Sequence, residues 1–134
     1  VSQRTAPQAT PADRTELPPD IETMRDVIDR LLDPDAVPGT LPPVPPELDT
    51  LTLQLRGHLA LLLPEVEETA KRLPLQSIAR YGALVSVTEA RERLRAEPTP
   101  RFGGAPGYAR RLARTLNALC NHWDALAVTS ASHP

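Results

Sequence analysis

Sixteen of the 134 residues are proline, and their positions decide where regular structure can form. Proline has no amide hydrogen and its ring clashes with the carbonyl four residues back, so long helices start just after a proline or stop just before one. Pro7, Pro11, Pro18 and Pro19 punctuate a polar N-terminus. Residues 1–19 hold too little apolar surface to offset the entropy of ordering and read as a disordered tail. Pro34, Pro38, Pro42, Pro43, Pro45 and Pro46 crowd residues 34–46. That segment reads as an extended connector close to polyproline II, a stiff spacer that lets the first helix reach its site. The same composition also suits docking on an SH3-like partner.

Between the prolines the apolar residues recur at helical spacing. A first helix is predicted over about 20–33, with Asp20 as N-cap after Pro18-Pro19, and Ile21, Met24, Val27, Ile28, Leu31 and Leu32 on one stripe. A second spans about 47–72, where Leu48, Leu51, Leu55, Leu59, Leu62, Val66, Ala70 and Leu73 step by three or four. Pro64 falls inside it, so a kink or break near 60–64 is expected. A third covers about 75–96 and is apolar on two sides: Ile78, Tyr81 and Val85 on one, Ala83, Val87, Ala90 and Leu94 on the other. Such a helix is expected to be central, with neighbours on both faces. EPTPRFGGAPG, residues 97–107, reads as a loop. A fourth helix follows over about 108–127, carrying Ala109, Leu112, Leu116, Leu119, Cys120, Trp123 and Ala127, and residues 128–134 read as a frayed tail.

The fold class expected is therefore all-α: a small bundle of four helices with a kinked second helix and a Pro-rich N-terminal tail. Residues 20–127 form one helical domain in which the first helix docks across the other three. No segment alternates as a strand does. The four aromatic residues, Tyr81, Phe102, Tyr108 and Trp123, are too few for a ring-based β-sandwich core. One cysteine excludes an internal disulfide. The N-terminus has no apolar h-region, and the longest apolar run, Leu59–Leu63, is far short of a membrane span, so a cytoplasmic protein with a reduced Cys120 is expected.

The net charge of −2 argues against a globally basic nucleic-acid binder. It hides an uneven distribution. Residues 1–70 carry 13 acidic and 5 basic side chains, and residues 71–134 carry 4 acidic and 10 basic. An acidic segment lying on a basic one accounts for this, as do two separate contact surfaces. Fourteen of the fifteen basic residues are arginine. With the abundant Leu and Ala, this composition fits a GC-rich genome without any anion site.

Few residues suggest chemistry. His58 lies at the edge of the leucine stripe with Glu65 two turns later, and a carboxylate beside an imidazole is a general acid–base arrangement. A ligand site near the Pro64 kink would use His58, Glu65 and Tyr81 as its polar groups. The plainer alternative is a half-packed boundary histidine. Cys120 and His122 point about 200° apart on a helix and cannot share a metal from one turn, so no metal or other cofactor is expected. Arg110 and Arg114, with Arg111 beside them and Asn117 and Asn121 on the same face, can contact an anion or an acidic partner, face solvent, or meet the acidic first helix. Gly103-Gly104 and Gly107 precede a helix but lack a Walker lysine or a preceding strand, so they read as loop rather than phosphate cradle. No Ser-His-Asp constellation emerges.

Several segments carry a family resemblance: IETM (21–24), LDPD (32–35), LTLQLRGH (51–58), LLPEVE (62–67), EARERLRA (89–96) and RRLARTLNALCNH (110–122). Over about residues 20–124 the chain resembles a small actinobacterial family, a domain of unknown function labelled "natural product biosynthesis protein". The resemblance implies an all-helical cytoplasmic protein and brings no reaction, cofactor or catalytic residue. The function expected is a non-catalytic accessory or interaction protein, regulatory in one version, associated with natural product biosynthesis. The alternative is a small-molecule-binding or catalytic bundle. The expected partner is another protein, with a homo-oligomer left open; nucleic acid and membrane are not expected.

Overall fold

The computed structural model describes residues 18–32, 43–97 and 103–131. Most of the tail over 1–19 and of the connector over 34–46 lies outside the described residues, as do residues 98–102 and 132–134. Four helices make up the described chain: α1 (Ile21–Leu32), α2 (Pro45–Lys71), α3 (Ile78–Arg95) and α4 (Gly104–Ala131). No strand occurs among the described residues, and the all-α bundle is the observed architecture.

The ends of the helices follow from local chemistry. Asp20 caps α1 as expected: its carboxylate accepts the Thr23 amide at 3.1 Å and the Thr23 hydroxyl at 2.7 Å. The Thr23 hydroxyl and amide hold the Asp20 carboxyl below its usual range. α2 starts at Pro45, two residues before the predicted position, because Pro45 and Pro46 occupy first-turn positions where no amide donor is needed. It then runs through Pro64 as one continuous helix, so of the expected kink or break no break occurs. Pro64 withholds a donor from the Ala60 carbonyl, but both residues are exposed and solvent can supply one. Leu62, Leu63 and Val66, buried on either side, hold the two halves to one core.

The Ser77 hydroxyl caps α3, accepting the Arg80 amide at 3.2 Å, so residues 75–77 form the turn rather than the helix. α4 differs most. It begins at Gly104, inside the predicted loop, and continues to Ala131, beyond the predicted end. Gly103 and Gly104 adopt φ of 87° and 60°, and the Gly107 amide donates to the Gly103 carbonyl at 3.1 Å. A Cβ on Gly103 would stand 3.2 Å from the Gly107 Cα, so the tight entry depends on glycine there. Pro106 sits in the first turn, where it is tolerated.

The core is the leucine seam. Leu55, Leu59, Leu62 and Val66 of α2 and Leu112, Leu116 and Leu119 of α4 are fully buried. α1 adds Met24, Ile28 and Leu31 to the same cluster. Two polar links fix α1. Arg25 donates to Asn117 and Asn121 and pairs with Asp124 at 2.8 Å; Arg30 reaches Glu47 with two nitrogens, at 3.0 and 2.9 Å. The first helix thus meets the polar face of α4 through its own arginine, while its acidic Glu22, Asp26 and Asp29 stay exposed.

α3 corrects another expectation. Ala83, Ser86, Val87 and Ala90 are buried, but Ile78, Tyr81 and Val85 are exposed. Among the described residues α3 has neighbours on one side only, α2 and α4.

Candidate functional site

The bare side of α3 is the molecule's most distinctive surface. Leu75, in the turn, is 83% exposed, Ile78 88%, Tyr81 73% and Val85 51%. Positions 78, 81 and 85 are separated by three and four residues and so share one face. An open cleft of about 270 Å³ runs along this face, lined by Leu75, Arg80, Tyr81, Leu84, Val85 and Thr88. Isolated exposed apolar residues are ordinary; a cluster of four is less so.

The face is rigidly mounted. Arg80 donates from α3 to the carbonyls of Lys71 at 2.8 Å and Leu73 at 3.4 Å, capping the end of α2. Arg56 does the reverse: from α2 it donates to the Leu94 carbonyl at 2.7 Å, in the last turn of α3, and to the Tyr108 hydroxyl. The Tyr108 hydroxyl donates in turn to the Ala96 carbonyl at 3.0 Å. A cation at a helix C-terminus satisfies orphan carbonyls and opposes the negative end of the helix dipole, so α2 and α3 stabilise each other's ends. Glu67 of α2 adds a side link, accepting from Arg91 at 2.6 Å. That hydrogen bond holds the Glu67 carboxyl below the usual carboxylate range. Arg56 and Tyr108 also border a second open cleft, of about 440 Å³, with Thr52, Leu94, Arg95, Ala96 and Glu97. Arg56 and Arg80 went unnoticed in the sequence, where nothing tells which carbonyls of a neighbouring helix an arginine reaches.

The sequence-predicted groups fall in different places. Tyr81 lines the α3 cleft, whereas His58 and Glu65 border neither cleft. His58 is half-buried, and burial pushes its pKa below the ordinary 6.5; the charge that opposes this shift is Asp20, at the cap of α1, not Glu65. Cys120 is fully buried, and burial raises its thiol to about 11, so it stays protonated at neutral pH. Arg110 and Arg114 are exposed and Arg111 is half-buried. Asn117 and Asn121, expected beside them, are engaged by Arg25. Among the described residues no group of three or more His, Cys, Asp or Glu is placed to hold a metal ion, and no helix is long and apolar enough to cross a membrane.

Neither a curated protein nor a solved structure matches the chain. A family model does, over residues 22–128, a span that runs from α1 into the last turn of α4 and so includes the bare face of α3 and the arginines that mount it. By that match the chain belongs to DUF6415, a family of unknown function.

Proposed function

We propose that this chain is a non-catalytic interaction module whose working surface is the outer face of α3. The observation that carries the proposal is the cluster of Leu75, Ile78, Tyr81 and Val85, exposed together along one stripe of α3 and the turn before it. Exposing four large apolar side chains invites non-specific association, and a covered face removes that liability. The mounting by Arg56 and Arg80 supports the same reading, because a pre-organised surface loses less entropy on binding. The cytoplasmic setting, the actinobacterial source and the natural-product context belong to this proposal through the family resemblance alone.

The test is site-specific photo-crosslinking in cells that make the protein. A benzophenone side chain at position 78 is expected to give discrete adducts, and the same group at exposed Thr50 on α2 is expected to give none. If position 78 yields no adduct above the level of position 50, the outer face of α3 is not a contact surface and the proposal fails.

A further inference from the structure

The geometry points to a second copy of this chain as the occupant of the α3 face, in a symmetric antiparallel α3–α3 pairing. This rests on the docking role proposed above and goes further by naming the partner. The patch is self-complementary about the level of residue 80. In an antiparallel pair centred there, Leu75 of one copy lies opposite Val85 of the other, and Ile78 opposite Tyr81. The four exposed apolar residues of this patch are then covered by each other. The three-and-four spacing of 78, 81 and 85 is the spacing that lets two helices pack along a seam. A two-fold interface uses the same patch on both partners, which is the arrangement this symmetry provides.

Charge decides the direction. Beyond Val85 the same stripe continues with Thr88, Glu89 and Glu92, all exposed. At the other end lies the α2–α3 corner, where Lys71 and Arg72 are exposed. Antiparallel pairing carries Glu89 and Glu92 of each copy past the start of the other α3, over that basic corner. Parallel pairing would set the glutamates of one copy against those of the other, and like charges at a contact oppose association. The groups concerned hold only long pairs within the chain: Lys71 with Glu67 at 3.5 Å, Arg72 with Glu68 at 3.7 Å and Arg93 with Glu89 at 3.6 Å. Such exposed pairs contribute little and are readily exchanged for contacts across an interface.

The area sets the strength. Four exposed side chains of this kind offer on the order of 500 Å² per copy, the upper end of what a monomer leaves bare. A standard stable interface uses roughly 800 Å² per partner, so the dimer is weak and concentration-dependent.

Sedimentation equilibrium of the 134-residue chain, from low micromolar to sub-millimolar concentration, tests this. The expected mass rises from 14.6 kDa toward twice that value. Ile78→Asp is expected to abolish the rise while leaving the helical circular dichroism unchanged, since the side chain touches no core. Glu89→Lys alone, or Lys71→Glu with Arg72→Glu, is expected to weaken the dimer about tenfold. Combining the reversals in one chain is expected to restore it, because a symmetric interface then swaps both signs at once. A chain that stays at 14.6 kDa throughout overturns the self-pairing. So does a dimer indifferent to Ile78→Asp, or charge reversals that do not compensate. If the chain is monomeric yet position 78 still crosslinks to a different protein, the second copy is the wrong occupant while the docking role stands.

Discussion

On its buried side α3 offers Ala83, Ser86, Val87 and Ala90; on its outer side it offers Ile78, Tyr81 and Val85, with Leu75 just before. The fully buried positions are therefore the smaller ones, with Leu84 and Leu94 partly buried against the core, and large apolar side chains also stand on the outside. A rule that sorts residues by hydrophobicity alone would not place them so. The difference lies in the space available. α3 lies close to its neighbours: a Cβ on Gly82 would stand 3.3 Å from the His122 ring. At that approach a small residue is needed at position 82, and close packing leaves little slack beside it. The α2–α4 seam is filled by leucines instead. The inner side of α3 is thus specified by volume, and the outer side is free of that constraint and available for contact.

The largest effect that can test this contrast comes from the leucine seam. Leu116→Ala removes a fully buried side chain and is expected to lower unfolding free energy by about 2–5 kcal/mol in urea titration. Ile78→Ser on the outer face is expected to stay within about 0.5 kcal/mol of the parent. Equal costs at the two sites would mean that the outer face is already covered within one chain, and the contrast would collapse. Next comes overpacking. Ala83→Leu adds volume to a fully buried site on α3 and is expected to cost about 1–3 kcal/mol by the same titration. A neutral result would show slack beside α3, and the volume argument would fail.

Much of this was legible in the sequence and some was not, for definite reasons. The stripes of α2 and α4 could be read because each has one wide face that needs large apolar residues. Asp20 could be read because a cap acts within three residues of itself. The start of α4 could not: Gly103, Gly104, Pro106 and Gly107 are all turn formers, yet positive φ at two glycines and a proline in a first turn also make a helix entry. The two-sided pattern of α3 suggested neighbours on both sides, because periodicity shows that a face is apolar and not what covers it. The small size of Ala83, Ser86 and Ala90 was the available clue to which side was packed. Of the three groups named around His58, sequence spacing could place His58 and Glu65 on one helix but could not say that Asp20, far away in the chain, would be the carboxylate whose charge acts on the imidazole.

The mutual capping of α2 and α3 gives an intermediate effect. Arg56→Met keeps most of the apolar stem but removes the donors to the Leu94 carbonyl and the Tyr108 hydroxyl. A loss of about 1–2 kcal/mol is expected in thermal or urea unfolding, since a charged donor is removed from partly buried acceptors. The loss is expected to be accompanied by faster amide exchange in the last turn of α3. Uniform exchange along α3 would mean that the arginine does not hold that end, and the outer face would be mounted less firmly than its hydrogen bonds suggest.

The smallest effect lies on the flank between the two faces of α3, where Glu67 accepts from Arg91. The folded protein holds this carboxyl below its ordinary value of 4.5. Between that value and the lower folded one, the unfolded chain binds more protons, so stability rises with pH across this window. The contribution is complete above pH 4.5 and disappears as the pH falls through the folded value. Because both side chains are partly exposed, Glu67→Gln is expected to cost only a few tenths to about 1 kcal/mol at pH 7. The same substitution is expected to cost less at pH 3 than at pH 7, as measured by urea titration at each pH. A cost independent of pH would assign the effect to packing of the Glu67 stem instead of its charge. The flank of α3 would then be governed by volume, as its inner side is.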